Sequence, residues 1–226
     1  IGAYGQQVAD CITSVTVIWR DSGRIEVIDG ADCGFGYRHS RFKANRDALV
    51  VSVALQLKVG GAPTLKYGQL QAAVGARPTL PETREAVLAL RRGKSMVWDP
   101  SDANHRSAGS FFMNPVVDPG VLPGLERRVA EAGHDPAAMP RYPAPDGVKL
   151  SAAWLIERSG MPRGFGEGPV GLSTNHTLAL VNRGQATADD VARFAAQVRR
   201  RVFEAYGVTL SPEPIFVGFG RSGDED

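Results

Sequence analysis

Ser110 carries the first side chain in the sequence whose setting suggests chemistry. The segment Ala108-Gly109-Ser110-Phe111-Phe112 places its hydroxyl after a small-residue turn and beside two bulky aromatic residues. Aromatic walls exclude water, so this hydroxyl could donate a proton inside a dry pocket. No nearby histidine and aspartate have the arrangement of a hydrolase, which argues against an activated nucleophile. The alternative is structural, a turn that enters a buried strand, and so short a motif does not decide between the two.

A group of basic and hydroxyl side chains around Arg38 is the second candidate. The segment Gly34-Phe35-Gly36-Tyr37-Arg38-His39-Ser40-Arg41-Phe42-Lys43 lies where the chain should turn between strands. An arginine binds a carboxylate through two parallel hydrogen bonds, and a lysine or second arginine binds phosphate as a point charge. The segment is therefore a candidate anion-binding loop, with a solvated basic loop as the alternative.

The composition is that of an ordinary globular protein. The 226 residues are 43% hydrophobic and 22% charged, which argues against a disordered chain. Twenty-six basic residues against 24 acidic ones leave a net charge of +2, too small to indicate a nucleic-acid or membrane-surface partner. No apolar stretch approaches the roughly 18 residues of a spanning helix. Cys11 and Cys33 are too few for a disulfide framework and lack metal-ligand spacing. We expect a cytoplasmic protein with no metal site and no membrane insertion.

Strand signals dominate the first part of the chain. Residues 11–19 are rich in β-branched side chains, residues 21–23 form a turn, and residues 24–28 alternate polar with apolar side chains. Together they predict a hairpin. A nearly continuous apolar run over 48–57 predicts a further strand that is buried towards its start.

The rest of the chain is predicted to mix helices with short strands, which makes the fold α+β. Gly, Pro and Lys over 60–80 predict a mobile loop. Thr187 and Asp190 form a capping pattern before a long amphipathic helix that Gly207 ends. Further predicted helices run from Pro81 to Gly93, around 122–132 and over 149–158. The predicted short strands are 177–181, 208–210 and 215–217, and residues 136–145 are predicted to be irregular.

Four sequence blocks in a fixed order resemble the signature of the UDP-N-acetylenolpyruvoylglucosamine reductase family. The blocks are Ile1-Gly2-Ala3-Tyr4-Gly5, Phe35-Gly36-Tyr37-Arg38-x-Ser40-x-Phe42-Lys43, Ala108-Gly109-Ser110-Phe111-Phe112-x-Asn114-Pro115 and Pro212-Glu213. The likeness extends over essentially the whole chain. The segment Leu65-Lys66-Tyr67-Gly68 also resembles a loop of the family's first subtype, whose tyrosine closes over the bound nucleotide.

The resemblance implies an activity and three catalytic residues. The family reduces the enolpyruvyl ether of UDP-N-acetylglucosamine to UDP-N-acetylmuramate, and NADPH reduces its FAD first. Ser110 would protonate the substrate α-carbon after hydride has reached the neighbouring carbon. Because the acceptor resembles a carbanion, a weak acid suffices. Arg38 and Glu213 would stabilise the charge on the substrate carboxylate, with Glu213 as a neutral donor.

The resemblance also implies binding residues. The substrate contacts would be Tyr67, Arg91, Lys94, Asn114, Lys149 and His176, the last standing where some family members have a glutamine. The FAD contacts would be Ile1, Gly2, Ala3, Tyr4, Tyr37, Ser40 and Val50. His39, His105 and His134 are expected to be exposed loop residues rather than metal ligands.

The resemblance further implies a division into parts. Residues 1–93 would complete an FAD-binding domain, 94–206 would form a substrate-binding domain, and 207–226 would return Glu213 to the interface. The glycine-rich loop that cradles the FAD pyrophosphate in the family precedes the point where this sequence starts. We therefore expect the 226 residues alone to bind FAD weakly or not at all. The oligomeric state stays open.

Two other functions are compatible with the same residues. One is a UDP-sugar binding module without redox chemistry. The other is a flavoprotein that oxidises a different substrate, against which Ser110 and Glu213 together argue, because alcohol oxidation needs no protonation of a carbanion.

Overall fold

The computed structural model describes residues 2–43 and 45–219. The chain divides between Leu90 and Arg91 into two compact units. This boundary falls inside the helix that the sequence predicts between Pro81 and Gly93. The assignment of the two parts to cofactor and substrate stays a prediction.

An antiparallel sheet forms the centre of the first unit. The elements of this unit are strands β1 (Gly2–Ala3), β2 (Gln6–Gln7), β3 (Ile12–Trp19), β4 (Ile25–Asp29) and β5 (Ala48–Leu55), and helices α1 (Gly68–Ala73) and α2 (Leu80–Arg92). The larger sheet has the order β4-β3-β5, and β1 pairs with β2 in a separate ribbon. Its core contains Val15, Val17, Ile28 and Cys33. The predicted hairpin is thus confirmed, with Val15 opposite Ile28.

Two predictions for the first unit were wrong. β5 was expected to be buried, yet Leu49 and Val51 are more than half exposed. The reason is that β5 lies at the edge of the sheet and pairs only with β3. Residues 60–80 were expected to be a loop without regular structure. They contain α1, because the side chain of Leu70 is buried and gives this segment an apolar anchor.

Helices packed around small sheets form the second unit. Its elements are strands β6 (Val116–Val117), β7 (Arg141–Ala144), β8 (Gly147–Leu150), β9 (Val170–Leu172) and β10 (Leu180–Asn182), and helices α3 (Leu122–Glu131), α4 (Ala152–Arg158) and α5 (Ala188–Tyr206). The sheet order is β6-β8-β7, and β9 pairs with β10. The core shared by these elements includes Phe112, Leu150, Leu155, Val198 and Leu210. The predicted α+β class is confirmed.

The longest helix has the ends that the sequence predicts. The Thr187 hydroxyl accepts a hydrogen bond from the Asp190 backbone, and the Asp190 carboxylate accepts one from the Thr187 backbone. This reciprocal pair satisfies backbone groups that the first turn leaves without helical partners. Gly207 ends the helix with φ 71, a left-handed conformation that glycine adopts without strain.

Several boundaries in the second unit differ from the prediction. Residues 141–144 form β7 although the segment was expected to be irregular. Lys149 lies in β8, so the helix predicted from this residue begins only at Ala152. The strand predicted over 177–181 is Leu180–Asn182. Neither 208–210 nor 215–217 forms a strand. Between these two segments, Pro212 makes an isolated bridge with Phe112.

The helices of the described part of the chain, α5 included, are too short or too polar to cross a bilayer.

Candidate functional site

The segment of Ser110 lies between two neighbouring stretches of backbone. Ser110 forms an antiparallel bridge with Ala179, and the Phe111 backbone N–H donates to Leu178 O at 2.8 Å. Gly109 precedes it with φ 86, a conformation that side chains beyond glycine rarely adopt. Phe112 is only 1% exposed. The segment therefore does enter the core, as the structural interpretation expected, while Ser110 itself is half-buried.

Glu213 is brought next to this segment from the other end of the chain. The Glu213 backbone N–H donates to Phe111 O at 2.8 Å, and Phe112 bridges Pro212. Ser110 and Glu213 are thus carried by two hydrogen-bonded segments of one unit. The ring of Phe111 packs edge-on against Phe112 at 5.1 Å and against Phe216 at 6.3 Å. These rings form an apolar cluster on the segment that follows Ser110.

A basic group gathers around His176 in the same unit. Burial first, and then the positive charges of Lys94 and Arg163, lower the pKa of His176 from 6.5 to about 4. The imidazole is therefore neutral near pH 7 and can donate or accept a hydrogen bond, while Lys94 and Arg163 supply positive charge. Such a set suits a phosphate or diphosphate group. Lys94 and His176 were predicted from the sequence, whereas Arg163 was missed. Its only signal is a basic residue between Pro162 and Gly164.

Three other residues that were predicted to contact the substrate interact with neighbouring protein groups. Arg91 donates to Met96 O at 2.9 Å, and Asn114 Oδ1 accepts from the Ala152 backbone at 3.0 Å where α4 begins. Lys149 Nζ lies 6.0 Å from the centre of the Tyr142 ring. These contacts hold a turn, a helix end and a strand pair, and the substrate roles of the three residues stay predictions.

The first unit gathers several residues that the resemblance assigns to cofactor and nucleotide. A Cβ atom built on Gly2 would lie 3.6 Å from Nη1 of Arg38. The rings of Tyr4 and Tyr67 pack edge-on with 5.2 Å between their centres. Gly5 has φ 82, and a Cβ atom there would approach Cβ of Lys66 to 2.7 Å. The start of the chain, Arg38 and the Tyr67 loop therefore lie together in this unit.

The remaining predicted FAD contacts are placed as follows. The Tyr37 ring lies 5.6 Å from the guanidinium of Arg38, the predicted catalytic arginine, whose φ is 53. The Ser40 carbonyl accepts from the Lys43 backbone at 3.0 Å. Val50 faces Val17 across the sheet and is 42% exposed. Ala3 ends β1, and Ile1 lies outside the described residues.

A cleft of about 760 Å³ lies between β6, α3 and the end of α5. None of the residues predicted to bind substrate or cofactor lines this cleft. Among residues 2–43 and 45–219, no group of three or more His, Cys, Asp or Glu side chains is arranged to hold a metal ion. His39 is exposed, His105 Nδ1 lies 2.7 Å from Asp102 O, and His134 Nε2 lies 2.9 Å from Arg158 O.

Comparison with known proteins places these residues in a family. The model of the carboxy-terminal domain of UDP-N-acetylenolpyruvoylglucosamine reductase matches residues 99–217. The reductase of this name from Thermobifida fusca is 44% identical over 224 residues, covering 96% of this chain and 63% of the relative. The one from Mycobacterium tuberculosis is 44% identical over 230 residues, covering 96% and 62%.

A solved structure gives the same result. The crystal structure of UDP-N-acetylenolpyruvylglucosamine reductase from Thermus caldophilus matches with a TM-score of 0.54 and 26% identity. The match covers 94% of this chain and 55% of that one. This chain thus spans less than two thirds of the length of these relatives. The resemblance found in the sequence is confirmed, and the chain belongs to the UDP-N-acetylenolpyruvoylglucosamine reductase family.

Proposed function

We propose that this chain carries out, with FAD and NADPH, the reduction of UDP-N-acetyl-3-O-(1-carboxyvinyl)glucosamine to UDP-N-acetylmuramate. This reaction belongs to peptidoglycan precursor synthesis and would take place in the cytoplasm. The observation that carries the proposal is the pairing of the Ser110 and Glu213 segments through Glu213 N–H and Phe111 O. Family membership supplies the reaction, and this pairing supplies two of the residues that it needs.

The residues of the first unit fit a flavin. The backbone of Gly2 lies close to the guanidinium of Arg38, and the Tyr37 ring is 46% exposed. A flat aromatic ring with polar edges could use such a combination of cation and exposed aromatic surface. Gly2, Ala3, Tyr4, Tyr37, Ser40 and Val50 would hold FAD. When bound, FAD would supply the hydride that it receives from NADPH.

Ser110 would complete the reduction by protonation. Its hydroxyl would give a proton to the substrate α-carbon and take one back from solvent in a later step. The acceptor has carbanion character once the neighbouring carbon has gained hydride, so the weak acidity of serine is sufficient. Arg38 and Glu213 would stabilise the charge that spreads onto the substrate carboxylate, which lowers the barrier for this step.

The second unit offers cations for the diphosphate of the substrate. Lys94 and Arg163 provide positive charge beside the neutral imidazole of His176. Lys149 and Asn114 would orient the sugar and phosphate oxygens, and Tyr67 would approach the nucleotide from its loop. These residues would bind the diphosphate, which lies remote from the reacting carbons of the substrate. The energy of this binding would help to orient the enolpyruvyl group.

The experiment that tests the proposal compares two half-reactions in a complete, FAD-loaded protein that contains this chain. In Ser110→Ala, NADPH should reduce the flavin at a rate close to that of the wild type. Oxidation of the reduced flavin by the enolpyruvyl substrate should slow by at least about 100-fold, the usual contribution of a positioned acid. Ser101→Ala is a matched control because the Ser101 hydroxyl donates to Asp99 within an exposed turn. Equal rates for both half-reactions in Ser110→Ala would remove Ser110 from the mechanism.

A further inference from the structure

Ser95 has a backbone conformation that its side chain disfavours. Its φ is 55, in the left-handed region, and only Tyr4 and Arg38 share this property among the non-glycine residues of the described chain. A Cβ atom in this region approaches the neighbouring backbone too closely, so the surrounding structure must hold the residue there. Such conformations concentrate at binding and catalytic sites.

A closed set of hydrogen bonds holds Ser95 in place. We call it the clasp, and it consists of Ser95, Asp102, Asn104, Thr174 and Asn175. Asn175 Nδ2 donates to Ser95 Oγ at 2.8 Å, and the Ser95 hydroxyl donates to the Asp102 carboxylate. Asp102 Oδ1 also accepts from the Asn104 backbone at 2.8 Å and from its side chain at 3.1 Å. Asn104 bonds both Oγ1 and the backbone N–H of Thr174, at 2.9 and 3.0 Å.

The charge state of Asp102 suits this role. The hydrogen bond from Ser95, followed by that from the Asn104 backbone, lowers the pKa of Asp102. The carboxylate therefore stays ionised near neutral pH and accepts hydrogen bonds from both neighbours. Hydrogen bonds to a charged acceptor are stronger than hydrogen bonds between neutral groups, so the Asp102 carboxylate stabilises the clasp.

Two residues of the clasp are sequence neighbours of Lys94 and His176, which belong to the basic group. Ser95 follows Lys94 in the chain, and Asn175 precedes His176. Two hydrogen bonds hold the turn that carries Lys94. The Lys94 backbone N–H donates to Arg91 O at 3.1 Å, and the Arg91 guanidinium donates to Met96 O at 2.9 Å. The bond between Ser95 and Asn175 therefore joins the turn of Lys94 to the segment of His176.

We propose that Ser95 is a positioning residue whose clasped hydroxyl sets Lys94 beside His176 to bind the diphosphate of the substrate. This inference rests on the proposed function, because it takes the basic group to be the diphosphate site. Ser95 makes no contact with the ligand in this account. It acts through Lys94, and the left-handed turn is the geometry that its bonds to Asn175 and Asp102 maintain.

The test measures the affinity of the purified 226-residue chain for uridine diphosphate by titration calorimetry. Ser95→Ala removes the hydroxyl and keeps the disfavoured backbone conformation. Ser95→Gly removes the hydroxyl and relieves the strain. Lys94→Ala and the double variant with Ser95→Ala complete a double-mutant cycle. Ser101→Ala is the matched control, since it removes a serine hydroxyl that donates to Asp99 in the same loop.

Both Ser95 variants should bind uridine diphosphate about tenfold more weakly, the scale of one hydrogen bond to a charged group. Ser95→Gly should lose this affinity without a fall in Tm, which a merely structural role would not produce. In the Lys94→Ala background, Ser95→Ala should have no further effect on affinity. The control Ser101→Ala should bind as the wild type does.

Three results would overturn the inference. Wild-type affinity in both Ser95 variants, with Lys94→Ala weakened, would remove the positioning role and leave the diphosphate site in place. An equal loss from Ser95→Ala with and without Lys94 would show that Ser95 does not act through Lys94. Absence of any binding by the wild-type chain would reject the proposed function, and the inference with it.

Discussion

Acidification from pH 7 to pH 5 should destabilise the second unit through His176. Burial, and then Lys94 and Arg163, lower the pKa of His176 from 6.5 to about 4 in the folded protein. The unfolded chain takes up this proton near pH 6.5, and the folded chain does so only near pH 4. Because the unfolded state binds more protons between these values, its free energy falls relative to the folded state as the pH decreases. The stability contribution is fully present above about pH 6.5 and is lost progressively towards pH 4.

The size of the effect follows from the two pKa values. For a group shielded from water, these values would reduce the free energy of unfolding by about 2 kcal/mol between pH 7 and pH 5. His176 is only half-buried, and water screens the charges of Lys94 and Arg163. We therefore expect a loss of about 1 kcal/mol from this residue.

Urea denaturation at the two pH values measures this loss. A Trp19→Phe background removes the tryptophan of the first unit, and Trp98 is 78% exposed, so the change in fluorescence reports mainly on Trp154 in the second unit. His176→Gln is the reference because its amide does not titrate. The free energy of unfolding should fall by about 1 kcal/mol less in His176→Gln than in the wild type. An equal fall in both proteins would refute the assignment of a depressed pKa to His176.

Two stability changes test the core and the longest helix of the second unit. Leu155 is fully buried, so Leu155→Ala should lower the free energy of unfolding by about 2–5 kcal/mol in urea denaturation, and a loss below about 1 kcal/mol would contradict its place in the core. Thr187→Ala removes the hydroxyl that bonds the Asp190 backbone and should cost about 1 kcal/mol. Thr187→Ser keeps that hydroxyl and should cost much less, so equal losses in the two variants would argue against the cap.

Elements with strong local signals were predictable from the sequence. Helix α5 begins at a capping pair and ends at a glycine, and both ends depend on residues within one turn of the boundary. The hairpin of β3 and β4 likewise depends on β-branched residues and a short turn. Local sequence determined these elements because the physical causes of their ends lie in the same few residues.

Elements whose environment depends on distant partners were predicted less well. β5 has the apolar run of a buried strand, but its exposure depends on which strands pair with it, and only β3 does. Residues 136–145 were predicted to be irregular, yet β7 forms there and contains Pro143, whose backbone cannot donate to a neighbouring strand. It is accommodated because β7 lies at the edge of its sheet. Strand order is a tertiary property that no local pattern in these segments encodes.

The candidate site shows the same division. Ser110, Glu213, Lys94 and His176 were predicted as site residues from the family resemblance, whereas the hydrogen bond between the Glu213 and Phe111 backbones required the fold. Ser95 and its partners in the clasp are common polar residues in loops, and their types gave no signal. Only the left-handed backbone of Ser95 and its bond to Asn175 reveal the connection.

Ser110 is proposed to give the α-carbon of the substrate its proton. The most direct measurement is a single turnover of the reduced FAD enzyme with the enolpyruvyl substrate in deuterium oxide. The wild type should form UDP-N-acetylmuramate with one deuterium at the α-carbon, and Ser110→Ala should slow its formation by at least about 100-fold. Product formation at the wild-type rate by Ser110→Ala, or a product without deuterium at this carbon, would contradict the claim.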